Sequence, residues 1–192
     1  MKVCVALDDF SQEIMGDKEW EVLLKLKEEY PQLRVTMFTI PLQCSKGWLT
    51  HIKENYPWIE LAVHGTDHRL RVPPSRRISQ VPEQFYEGFT KWYKAPRWEL
   101  SPEDFNKLRE MGYKIATNKT NKFVGDYKYD SGKELIKDIY YLMLDGIYSW
   151  HGHVQSQYYA NRVNPNGLPD VIDKFRKSIP KDAEFVWVSE IR

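Results

Sequence analysis

Four of the five histidines fall in two short runs, His64-Gly65-Thr66-Asp67-His68 and Trp150-His151-Gly152-His153, and a pair of carboxylates, Asp8-Asp9, follows an apolar run near the start of the chain. Two imidazoles four positions apart can face one centre. A carboxylate from another part of the chain then completes a two-histidine, one-carboxylate site with positions left open for water and substrate. His64, His68 and Asp9 form such a set. The spacing also admits a plainer reading, in which the two histidines are hydrogen-bonded loop residues. Asp8 and Asp9 likewise admit two readings. One is a solvated turn that opens the loop Asp8-Asp9-Phe10-Ser11. The other gives Asp9 to a metal and leaves Asp8 as a base, because adjacent carboxylates repel unless something cationic separates their roles. His51, the fifth histidine, sits on an expected helix and reads as a surface residue.

These residues need strands that end beside one another, and the apolar periodicity supplies them. It switches repeatedly between strand and helix, the mark of an α/β fold with a largely parallel sheet. Strands are expected at Lys2 to Leu7, Arg34 to Ile40, Ile59 to Val63, Tyr93 to Ala95, Lys114 to Thr117 and Gly146 to Trp150, with a strand-like run at Glu184 to Ser189. Helices are expected at Asp17 to Tyr30 with Pro31 as the stop, Trp48 to Asn55, Val81 to Trp92, a stretch opened by Ser101-Pro102-Glu103 and ended by Gly112, and Leu168 to Ser178; Asp130 to Leu144 reads as helical in part. About six to eight βα repeats in a chain of this size suit a distorted or incomplete (β/α) barrel better than a full eightfold one. In such folds the working residues gather at the carboxyl ends of strands. Asp8-Asp9, the run from His64, the run Lys94-Ala95-Pro96-Arg97-Trp98 and the run from Trp150 all lie at such ends.

Composition narrows the function further. With 192 residues, one domain over 1–192 accounts for the chain. The 28 Lys and Arg nearly balance the 27 Asp and Glu, so no surface that tracks nucleic-acid phosphates is expected. Cys4 and Cys44 form neither a CxxC pair nor a disulfide framework. The opening MKVCVAL lacks the apolar core of a signal peptide and no stretch reaches membrane-spanning length, so a cytoplasmic protein without a membrane partner is expected. Most of the seven Trp and twelve Tyr are expected in the core. Trp98 and Trp150 are singled out because they lie beside the motifs, where an aromatic face could meet a ligand.

Taken in order, these residues resemble the NodB-like polysaccharide deacetylases, carbohydrate esterase family four, and their divergent relatives. Val5-Ala6-Leu7-Asp8-Asp9-Phe10 is similar to the family's strand with a paired Asp. Val35-Thr36-Met37-Phe38-Thr39-Ile40 is similar to its next apolar strand. His64-Gly65-Thr66-Asp67-His68 is similar to its His-Ser/Thr-x-x-His, with Gly65 in the place of the hydroxyl residue, and Phe185-Val186-Trp187-Val188-Ser189-Glu190 is similar to its closing pattern. The family's Arg-Pro-Pro-Tyr is represented here by Lys94-Ala95-Pro96-Arg97, and its fourth motif has no good counterpart, Asp126 and Asp130 being the nearest acids.

The resemblance implies a barrel of the NodB type and hydrolysis of an N-acetyl or O-acetyl group on a saccharide. It makes Asp9, His64 and His68 the ligands of one divalent metal, zinc before other first-row ions. Asp8 would be the general base, with Lys94 or Arg97 to orient it, although lysine lacks the planar fork of arginine. His151 would be the general acid, with His153 competing for that role or contacting substrate, and a backbone N–H near Arg97 would face the oxyanion. Three other readings use the same residues: a deacetylase-fold protein that binds a glycan or metal without turnover, a hydrolase of a non-glycan amide, and a non-haem iron oxygenase. The two carboxylates at one strand end favour hydrolysis over the last.

Overall fold

The computed structural model describes residues 1–66, 86–96, 102–116, 142–144, 147–155, 157–158, 162–163 and 167–191, with the backbone alone at 102–105, 142–144, 157–158, 162–163 and 169–171. The strands are β1 (Lys2–Phe10), β2 (Val35–Thr39), β3 (Ile59–His64), β4 (Phe89–Lys94), β5 (Lys114–Ala116), β6 (Leu142–Leu144), β7 (Ile147–His153), β8 (Gln157–Tyr158), β9 (Arg162–Val163) and β10 (Glu184–Val186). The helices are α1 (Asp17–Glu29), α2 (Lys46–Asn55), α3 (Pro102–Glu110) and α4 (Leu168–Ser178). Two helix boundaries have a clear local cause. Ser45 accepts a hydrogen bond from the Trp48 N–H at the start of α2. Gly112 takes a φ of 82° just beyond α3, where Tyr113 N–H reaches back to the Leu108 carbonyl.

The main sheet runs β5-β4-β3-β2-β1-β7-β6, with β10 also paired to β1. Its pairings are parallel except that of β6 with β7. β8 and β9 form a separate antiparallel pair. The sheet curls into a half-barrel with helices packed outside, the distorted barrel expected from the sequence. Among the described residues no helix is long and apolar enough to cross a membrane.

Period-two alternation assigns the two faces. On the outer face Val3, Val5, Leu7, Met37, Leu61 and Trp150 join Leu23 and Leu26 of α1, Ile52 of α2 and Phe175 of α4 in the largest core cluster. On the inner face the small residues Cys4, Ala6, Ala62 and Ala116 surround Phe38 and Trp92, with Val186 and Val188 below them. Small residues around two large rings fill a narrow interior. The lower half of the half-barrel is therefore plugged, and chemistry is left to the strand ends above.

β10 occupies an unusual position. It pairs with Lys2 to Cys4, whereas β2 pairs with β1 from Ala6 onward, so two strands share one edge of β1. Thr36 Oγ1 accepts from Val188 N–H at 3.0 Å and donates to Glu60 Oε1 at 2.7 Å, tying the segment after β10 across the bottom of the sheet. Glu60 also bonds Ser189, and Arg34 pairs with Glu190. The strand-like run expected over Glu184 to Ser189 is thus a short strand followed by a 3-10 turn at Val188–Glu190.

Two expected elements need correction. The helix read over Val81 to Trp92 fails from Tyr86 onward, residues 81–85 lying outside the described set. Gly88 takes a φ of 78°, which no helix continues through, and Phe89–Lys94 forms β4, rich in the aromatic and β-branched residues that pack well on a pleat. The stretch Asp130 to Leu144, read as partly helical, ends in β6, which pairs antiparallel with β7. Its residues before Leu142 lie outside the described set.

Candidate active site

Adjacent strand residues normally point to opposite faces, so a regular β1 would place Asp8 inside and Asp9 among the helices. The register prevents this. Leu7 pairs with Met37 but Phe10 pairs with Thr39, three steps against two. The extra residue is Asp9, the one described non-glycine residue with a positive φ, 62°. This left-handed backbone costs about 1 kcal/mol for a residue with a Cβ. It leaves both carboxylates buried within reach of the inner-face histidines, and it returns Phe10 to the outer core beside Trp20 and Trp48.

Three other strand ends converge on this pair. His64, the last residue of β3, makes a 3.0 Å hydrogen bond between Nδ1 and the Lys94 carbonyl. A carbonyl only accepts, so Nδ1 carries a proton, and Nε2 is the nitrogen that faces Asp9 Oδ1 at 3.3 Å, where the carboxylate favours a second proton. Lys94, the last residue of β4, places Nζ 2.7 Å from Asp8 Oδ1 and 2.7 Å from His151 Nδ1, above the Phe38 ring. β7 contributes His151, with Nε2 3.4 Å from Asp8 Oδ2, and His153, with Nε2 4.0 Å from Asp9 Oδ2. Gln155 Nε2 donates to Asp9 Oδ2 at 2.7 Å. Sequence reasoning missed Gln155. Its signal was the two-residue spacing of His151, His153 and Gln155, which continues the inner face of β7 past its last paired residue.

The charges divide along the same lines. Burial pushes the Asp8 carboxyl up, but His151, Lys94 and His64 together outweigh it and hold Asp8 below the usual carboxylate range. Burial pulls the Lys94 ammonium down and the carboxylates, Asp8 first, work against it. Burial also sets His151 well below, and His153 below, the ordinary imidazole value, so both are neutral near pH 7. His64 moves the other way: burial lowers it, and Asp8 and Asp9 more than compensate.

The donors suit a divalent ion. His64 Nε2 and Asp9 Oδ1 face each other, so that an ion between them would take the place of the proton Asp9 favours on Nε2, and their opposite atoms are held by the Lys94 carbonyl and Gln155, the outer support that metal ligands require. His68, the third expected ligand, lies outside the described residues. Asp8, His151 and His153 also bring one donor atom each within 4.8 Å of one another. That second group is the poorer host, because the Lys94 ammonium already lies against two of its three members.

Other expected site residues fall differently. Arg97 and Trp98 lie outside the described residues. Trp150 is fully buried and packs edge-on against Phe175 with ring centroids 4.8 Å apart. It is a core residue and not a wall on which a sugar could stack, because β7 runs on to His153 and alternation sends Trp150 to the helix side. His151 is 5% exposed at its side chain and His153 26%. The imidazole open to an incoming molecule is therefore His153, not His151. His51 is exposed on α2, as expected.

No family model matches the sequence, and no curated protein does. Solved structures do match. A family 4 acetyl xylan esterase from Clostridium thermocellum, in complex with a cobalt ion, superposes with a TM-score of 0.58 at 14% identity, over 100% of this chain and 90% of the other. The chitin deacetylase of Colletotrichum lindemuthianum gives 0.56 at 16% identity, over 99% and 86%. A family 4 pseudoenzyme from Bacillus anthracis gives 0.53 at 10% identity, over 99% and 64%. The matches cover essentially the whole chain, which has the fold of the NodB-like polysaccharide deacetylases.

Proposed function

We propose that the protein is a metal-dependent deacetylase that hydrolyses an N-acetyl or O-acetyl group on a saccharide. The observation that carries this reading is the bulge at Asp9. It brings two adjacent carboxylates into one site and gives them different partners, an ammonium for Asp8 and an imidazole for Asp9. Asp9, His64 and, by sequence, His68 would hold the ion, zinc being the first choice for such donors. An ion bound there supplies a Lewis acid and makes hydroxide available near neutral pH.

The remaining work falls to the chain. Asp8, ionised and anchored by Lys94, takes the proton of the attacking water. His153, level with Asp8 in the β1–β7 register and the more open of the two imidazoles, passes to the departing nitrogen or oxygen the proton that Asp8 has taken from the water. Arg97 and Trp98 are proposed for the oxyanion side and the substrate rim on sequence grounds alone.

The test is metal content of the purified protein beside Asp9→Ala and His64→Ala, with acetate release from an acetylated chito-oligosaccharide followed on the same samples. One metal per chain, lost in both variants, with acetate released only when metal is present, supports the reading. A protein that takes up no zinc, cobalt or iron removes it. A second reading is favoured by Lys94, a point charge where a planar fork would hold Asp8 more firmly: a protein of this fold that binds metal or glycan without turnover. It predicts metal uptake with no acetate. Hydrolysis of a non-glycan amide would appear as metal-dependent activity on simple acetamides but not on the oligosaccharide.

A further inference from the structure

We infer that Lys94 and His151 act together as a two-pronged support for the Asp8 carboxylate, which makes His151 a positioning residue and not the proton donor of the reaction. The inference rests on Asp8 being the base of the proposed deacetylase. A carboxylate is held most firmly when each oxygen faces its own donor, the arrangement an arginine fork provides in one residue. Here the two oxygens face two residues. Lys94 Nζ lies 2.7 Å from Oδ1, and His151 Nε2 lies 3.4 Å from Oδ2.

The prongs are themselves joined, since Lys94 Nζ lies 2.7 Å from His151 Nδ1. An ammonium has no acceptor, so Nδ1 must accept, and the His151 proton is thereby fixed on Nε2, the nitrogen turned towards Asp8. Position agrees with this role. His151 is level with Ala6 in the β1–β7 register, one layer beneath Asp8, and is almost completely buried. Nδ1 faces Lys94, Nε2 lies nearest Asp8, and the residue is 4% exposed, which leaves little room for a leaving group. His153 stands one layer higher, opposite Asp8.

If one fork and these two residues are equivalent, they are exchangeable. Lys94→Arg alone lacks room for the guanidinium because the His151 ring occupies it, and His151→Ala alone removes a prong. Each single variant is expected to lower kcat by roughly 100-fold with KM within about threefold, the pattern of an interaction that matters in the transition state. The double variant Lys94→Arg/His151→Ala is expected to recover to within about tenfold of wild type. A double variant no faster than His151→Ala would overturn the inference, because a missing proton donor is not replaced by arginine.

A second measurement does not depend on activity or on the variants folding. The ¹⁵N shifts of the His151 ring in the metal-free wild type should place the proton on Nε2 with a hydrogen-bonded Nδ1. A proton on Nδ1 would overturn the inference whatever the kinetics show. Should the wild type release no acetate while this tautomer is found, the deacetylase reading falls and the two-pronged support stands.

Discussion

Replacing Lys94 by methionine keeps the length of the side chain and removes its charge. Asp8 is then left 2% exposed without its nearest cation, and breaking a buried pair from one side costs about 3–5 kcal/mol. His151 remains beside the second oxygen, so the lower end, about 3 kcal/mol, is expected at pH 7. The loss should depend on pH, with a sign that follows from the direction of the Asp8 shift. In the wild type its pKa is depressed, so its contribution is present above the unfolded value of about 3.9 and lost as pH falls through the folded one. In the variant burial meets weaker opposition, the carboxyl moves up, and Asp8 can protonate in the folded state. Between pH 7 and pH 5 the gap between the two proteins should therefore narrow. Urea denaturation of the metal-free proteins at both pH values measures it. A variant within about 0.5 kcal/mol of wild type at pH 7, or a gap unchanged at pH 5, would refute the argument.

Other expectations follow from the same geometry. Asp9→Gly should be more stable than Asp9→Ala by about 1 kcal/mol in urea, since only glycine occupies a φ of 62° without strain, while both lose bound metal in elemental analysis. Trp150→Ala should cost about 3–5 kcal/mol and leave KM for an acetylated oligosaccharide unchanged; a raised KM without lost stability would return Trp150 to the substrate. Burial holds His151 and His153 below the ordinary imidazole value, so at these two positions the unfolded chain binds more protons, against His64 alone shifted the other way. Stability of the metal-free protein should then fall as pH drops below about 6.5, and His151→Asn should flatten that slope in a pH series of thermal melts.

Much of the site was legible because strand ends can be read from sequence. The apolar runs before Asp8, His64 and Lys94 stop where the chemistry starts, and the sheet aligns those stops. What escaped was the path of individual residues beyond them. The strand leading to His151 was ended at Trp150, whereas β7 continues to His153, and three more residues of alternation decide that Trp150 faces the helices and that His151 lies beneath His153. The two carboxylates were read as a turn or a shared site, and neither reading contained the register step that joins them, because a bulge depends on the partner strand as much as on its own residues. The helix expected before Trp92 had favourable residues, but a glycine in a left-handed conformation and the open edge of β3 outweighed local preference.

The shared edge of β1 has a consequence for how the chain acquires its shape. β1 lies inside the sheet, and its lower half is paired only with strands far along the sequence: Lys2 is paired with both Ile147 and Glu184. During synthesis only β2 is at hand early, and it covers only the upper part of that edge. The lower half of this strand therefore has no partner until β7, and after it β10, have been made. A topology dominated by such distant pairings is expected to fold slowly. The nascent chain would meanwhile carry an unpaired apolar segment, Val3-Cys4-Val5, of the kind that chaperones bind and that aggregates when left alone.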